Sequence, residues 1–343
     1  GKLYYYNRLY PEAVDILQRA NQKQPENRAL ASLYISALSR EYFIILAQNI
    51  EDTSLAQQQN TRLSEATKNM KNRIQAINKL HHFNDHAALP LLSATEHILN
   101  GNHNAAVAAI VSENSFSDGE YSELYLAGII KRQQGLNAFY QGQYEQALNA
   151  FDQAMGLFKQ SNDIARSYMG NYYEFCFLGS NILKVNQHHS SDIKNHYHDA
   201  LNLCEQGLVI DRSDQFIMGE LATINWRYGQ WLMTHGQKPD DYFQQSLEWG
   251  ERSLAVSEGA EAWTNQGIVY DLIALQKLES GINPQKEITQ ALAAYDKVNL
   301  LSPALITSTT GNQLYAYNIL SQYQVLKGED VSETGLKALD LIA

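Results

Sequence analysis

The sequence predicts an all-α protein built from stacked helix pairs. Three observations carry that expectation. A large residue followed by small ones at helical spacing recurs along the chain. Only 6 prolines occur, which suits long helices better than many short strands and turns. The 343 residues also exceed the roughly 250–300 at which single cores stop growing. The chain must therefore form two domains, or a solenoid whose units touch only their neighbours.

The recurring pattern begins at Tyr10, Ala13, Leu17 and Ala20, followed by Pro25. A weaker copy runs His103, Ala106, Ile110. Further copies are Tyr144-Ala147-Phe151-Ala154, Tyr197-Ala200-Cys204-Gly207, Phe243-Ser246-Gly250-Ser253 and Ile288-Ala291-Tyr295-Val298, the last closed by Pro303. Offsets of three and four put each set on one helix face. The small residues let a neighbouring helix approach, and the large one fills the space between units. Gly101 and Gly142 stand two residues before their His or Tyr, where a tight helix-to-helix turn is required.

Between the first copies, residues 28–82 suggest two long helices. Leu30, Leu33, Tyr34, Ala37 and Leu38 form one stripe, and Ile74, Ile77 and Leu80 continue a second. A polar, Gln-rich stretch from Asp52 to Asn60 separates them. Later repeats are lengthened by a motif of their own: Gly236-x2-Pro239, Gly281-x2-Pro284 and Gly328-x2-Val331. The first helix of each pair is expected to stop at the Gly and the second to start after the Pro. The organisation expected is irregular helical repeats over 1–115 and clearer repeats over 116–343, continuous with the first part.

Trp263-x2-Gln266-Gly267-x2-Tyr270 resembles the tetratricopeptide pattern W-x2-L-G-x2-Y, with Gln in place of Leu. Gly135 occupies the same place before Tyr144. The resemblance covers Tyr10–Pro25, Gly135–Ala154 and Trp263–Pro303 and is weak over roughly 28–100. The family's repeat is 34 residues, and the later units here are longer. The resemblance implies a right-handed superhelix whose concave groove is lined by the first helix of each unit. The groove residues then expected are Ile129, Arg132, Leu136 and Phe139 in one unit and Glu261, Thr264, Ile268 and Asp271 in another. The family's carboxylate clamp needs Lys and Asn on such faces. The matching places hold Arg132 then Leu136, and Thr264 then Ile268, so an internal, basic segment of a partner is expected rather than a chain terminus.

A narrower resemblance rests on Leu3-Tyr4-Tyr5, Tyr10-x-Glu12-Ala13, Leu30-Ala31-x2-Tyr34, Ile210-Asp211-Arg212-Ser213-Asp214 and the three insertions. These are similar to the helical region that follows the catalytic domain in some bacterial serine/threonine protein kinases. The resemblance implies a regulatory or sensor region acting in signalling. The sequence has no GxGxxG, HRD or DFG, so phosphoryl transfer would belong to an upstream part; starting at Gly1, the chain has the look of an excised piece. The expected compartment is the cytoplasm, or the periplasm if a membrane span lies upstream.

The charge narrows the partner. Lys+Arg 26 against Asp+Glu 37 leaves −11, which argues against a nucleic-acid binder and against an anionic membrane surface. The longest strongly apolar run, Phe43–Ala47, is far short of the roughly 20 residues of a span. The expected partner is a protein or peptide segment, with self-association open. Cys176 and Cys204 form no CxxC and are expected as two buried small apolar residues. His188, His189, His196 and His198 crowd one segment beside Asp192 and Asp199. This is expected to be a solvated loop and helix start rather than a metal site, and His81, His82 and His86 likewise. Ser191-x2-Lys194 fits S-x-x-K by chance, since no SDN or KTG follows. No catalytic residue, cofactor or metal is expected. The alternatives to protein binding are a small-molecule or metal sensor with a pocket inside the superhelix, and a dimerisation scaffold.

Overall fold

The computed structural model describes residues 10–27, scattered positions between 30 and 97, and residues 102–111, 122–166, 169–189 and 192–342. Among these residues every regular element is a helix and no strand occurs. The chain forms two compact units, Gly1–Asn171 and Tyr172–Ala343. The boundary expected at 115/116, the histidines at 81–86 and most of the stripes in 28–82 lie outside the described residues. Of the first stripe, Leu30, Tyr34 and Ala37 are helical, with Tyr34 and Ala37 buried and Leu30 half-buried.

In the first unit are α1 (Tyr10–Lys23), α2 (His103–Val111), α3 (Ser122–Tyr140) and α4 (Tyr144–Ile164). α3 and α4 pack as a pair around the turn at Gly142, whose φ is +74°. Ala13, Leu17, Ala147, Phe151 and Ala154, the small and large residues of the repeat pattern, are buried. α2 packs on α3, with Lys131 Nζ donating to Asn104 Oδ1 at 3.0 Å.

The second unit holds most of α5 (Met169–His189), then α6 (Lys194–Ile210), α7 (Gln215–Thr234), α8 (Asp240–Val256), α9 (Ala260–Glu279), α10 (Gln285–Leu301), α11 (Ile306–Lys327) and α12 (Ser332–Asp340). The insertion motif does what its chemistry dictates. α7, α9 and α11 stop one or two residues before Gly236, Gly281 and Gly328, where the chain turns at φ near +70°, the left-handed region where a Cβ costs energy. The next helices start directly after Pro239, Pro284 and Val331.

The pattern residues make the pair contacts. Ile288, Ala291, Tyr295 and Val298 are fully buried. A Cβ on Gly267 would lie 2.4 Å from the Tyr295 ring, so the glycine is what lets α9 and α10 close. In the pair α7–α8 the interlock is polar: Ser246 Oγ donates to Ala222 O at 2.7 Å and Ser253 Oγ to Gln215 O at 3.0 Å. In the pair α5–α6, Cys204 takes the place held by Phe151 and Tyr295 in other copies and is bonded to Cys176. This corrects the expectation for the cysteines: both are buried, but as a disulfide between two helices, because the close approach of the pair brings the sulfurs together.

Packing sorts the second unit into two rows. α7 lies against α9 and α9 against α11, whereas α6, α8 and α10 have no comparable contact with one another. The helices of the first row, α7, α9 and α11, thus touch one another, and with α5 they are referred to as the inner row.

Candidate functional site

The inner row of the second unit carries a continuous set of polar side chains. Gln187 of α5 donates from Nε2 to Arg227 O at 3.3 Å and to Gln230 Oε1 at 3.0 Å, both on α7. Asn265 of α9 is buried against α7. Its Nδ2 donates to Gly219 O at 3.1 Å, and its Oδ1 accepts from Thr223 Oγ1 and from Trp226 Nε1, each at 3.1 Å. Polar bonds thus hold adjacent first-row helices at fixed spacing, where a purely apolar seam could slide.

Charge is distributed unevenly along this row. Lys184 of α5 is half-buried, and its ammonium is pushed down to about 8 by burial and then by Arg227, with Glu220 opposing. His188 is lowered by burial, Arg227 and Lys184. The Arg227 guanidinium lies 4.3 Å over the Trp226 ring. The α5–α7 end therefore gathers the basic side chains Lys184, His188 and Arg227 beside the buried Glu220. One helix further, the exposed Glu261 has its Oε1 3.4 Å from the position a Cβ would take on Gly219.

The structure places the eight expected groove residues as follows. In α3, Ile129 and Arg132 are buried, while Leu136 and Phe139 are half-buried. Phe139 packs on its own turn, with ring centroids 5.5 Å from Tyr140 and 5.9 Å from Tyr144. In α9, Glu261 is exposed and Thr264 and Ile268 are half-buried. Thr264 Oγ1 donates to Ala260 O at 2.8 Å, and Ile268 packs on the core formed by Trp226, Phe243, Val269 and Leu272. Asp271 is buried and accepts from the Tyr295 hydroxyl at 2.6 Å. The two sets belong to different units.

Sequence reasoning missed Lys184 and Arg227. A signal was present: each lies five residues after the small residue, Gly179 or Ala222, that faces the second-row pattern residue Ala200 or Ser246. Registering the first helix on the second would have aligned them. His196 and His198 sit in the first turn of α6, where Lys194 begins the helix. Among the described residues no three His, Cys, Asp or Glu side chains gather as metal ligands, and no helix is long and apolar enough to cross a membrane. The chain matches no family model and none of the curated proteins.

Proposed function

We propose that this chain is a non-catalytic, protein- or peptide-binding helical repeat region of the tetratricopeptide type, the regulatory or sensor part of a bacterial serine/threonine protein kinase. The observation that supports binding best is the inner row itself. Lys184, Gln187, Arg227, Gln230 and Thr264 are half-buried, and Glu261 is exposed beside them. Polar and charged side chains that stay partly accessible along one row of helices suit a surface that binds a peptide. The occupant proposed is an internal segment of a partner, basic in keeping with the net charge of −11.

The direct test is an affinity measurement on the full chain, once a partner has been isolated by cross-linking. A Lys184→Ala/Gln230→Ala/Thr264→Ala variant should keep its helical circular dichroism and lose at least tenfold in affinity. Full affinity in a folded variant would remove the inner row as the site. The kinase assignment rests on the short motifs quoted above. A coding sequence upstream of Gly1 without a Gly-rich loop, HRD and DFG would end it.

One observation bears on compartment. Disulfides persist in oxidising surroundings and are rare in the reducing cytoplasm. Cys176–Cys204 therefore favours the periplasmic side over the cytoplasmic one. Alkylating cells before lysis and sequencing the unreduced peptides checks this; free, alkylated cysteines would place the region in the cytoplasm.

A further inference from the structure

On the outer side of the second unit, α6 and α8 do not close on each other, because the first-row helices set the spacing of the stack. Between them lies a cleft of about 400 Å³. Its apolar lining is Leu208 and Val209 of α6, Met218 of α7 and the Trp249 ring of α8. Val209 is 78% exposed although apolar, so the cleft opens to solvent along one side.

Two guanidinium groups belong to the same cleft, Arg212 and Arg252, against the single carboxylate of Glu205. Arg252 lies 4.6 Å over the Trp249 ring, which holds the plane of its fork while leaving N–H groups at the edge. Arg212 is carried by a locked turn. Asp211 Oδ1 accepts from Ser213 N at 2.8 Å and from Ser213 Oγ at 2.7 Å, and Asp214 Oδ1 accepts from Phe216 N and Ile217 N at 2.9 and 3.0 Å. The Asp211 carboxylate is therefore committed to the turn itself and the Asp214 carboxylate to the N-terminus of α7. Neither arginine has an ion-pair partner among the described residues.

We infer that this cleft is a second docking site, outside the inner row, for an acidic peptide segment that places an apolar side chain on Leu208, Val209, Met218 and Trp249 and carboxylates on Arg212 and Arg252. Charge complementarity selects this occupant. The chain as a whole carries −11, yet this lining holds two cations to one anion. Trp, Arg and Met are also the residue types enriched where partners bind, and the guanidinium fork matches a carboxylate in two parallel bonds. An open cleft fits an extended segment better than a small molecule, which a pocket normally encloses.

The test uses the full chain on arrays of hexapeptides in three sets: acidic with apolar residues, basic with the same apolar residues, and neutral polar. The acidic–apolar set should bind best, and the best peptide, dye-labelled and followed by fluorescence anisotropy, gives a dissociation constant. An Arg212→Glu/Arg252→Glu variant should weaken it at least tenfold, and Val209→Asp should do the same without altering either arginine. All three positions are exposed, so helicity and melting should be unchanged. Lys184→Ala/Arg227→Ala should leave this binding intact. No preference for the acidic–apolar set, or affinity kept by both cleft variants, overturns the proposal. So does affinity lost in the Lys184/Arg227 variant alone, which would move the binding to the inner row.

Discussion

At Asp271 a carboxyl group is buried and takes one hydrogen bond, from the Tyr295 hydroxyl at 2.6 Å, while its second oxygen has no partner. Burial outweighs that bond and raises the group to about 7 from an ordinary value of 3.8. A raised folded value means that the stabilisation is complete below the unfolded value and is lost as pH climbs through the folded one. Between about pH 4 and pH 7 this group should cost the fold up to about 4 kcal/mol at 1.36 kcal/mol per unit. Asp271→Asn keeps an acceptor for Tyr295, so urea titrations at pH 5 and pH 8 should show a smaller difference for the variant than for the parent. Equal differences would mean that Asp271 ionises freely. Spacing alone put Asp271 on a groove face; the Tyr295 hydroxyl that bonds it reaches across from α10. The alanines of the pattern were better determined. Ala147 and Ala291 are fully buried at pair contacts, and replacing either by Leu should cost about 1–3 kcal/mol through overpacking, seen as a lowered melting temperature.

At the scale of the element, three pairs in the second unit each have their own interlock: a disulfide in α5–α6, serine hydroxyls in α7–α8, and an aromatic ring against glycine in α9–α10. All involve positions of the repeat pattern, Cys204 and Tyr295 its third place and Ser246 and Ser253 its second and fourth, which is why one pattern found them. The chemistry of each was less legible. Two cysteines 28 residues apart give no local sign of pairing, because the approach that joins them is set by the helix hairpin. A Cys176→Ser/Cys204→Ser variant should lose about 2–5 kcal/mol, read as a fall in denaturation midpoint. Thiol titration of the parent in denaturant should find no free sulfhydryl until a reductant is added. The ends of the helices were legible outright, since Gly236, Gly281 and Gly328 adopt the φ near +70° that side chains avoid. Gly281→Ala should cost about 1–2 kcal/mol, measured by the same denaturation.

For the whole molecule, the two compact units should respond separately to denaturant. All 4 tryptophans lie at or beyond Trp226, so their fluorescence reports the second unit alone, while circular dichroism reports both. In urea the two signals should give different midpoints, as expected when stability is a sum over repeats and their interfaces. Coincident curves would mean that the units unfold as one.

The helical class, the buried face of each second-row helix and the stops at the insertion glycines follow from the sequence by itself. They depend on spacings of three and four residues and on backbone geometry at single positions, both of which are local. The tertiary structure decided what lies opposite those faces. It joined Cys176 to Cys204, turned Asp271 to Tyr295, grouped Lys184 with Arg227 on the inner row, and opened the cleft that Arg212 and Arg252 share. Each brings together residues from different helices, and their distance is set by the spacing of packed helices, which no local pattern encodes.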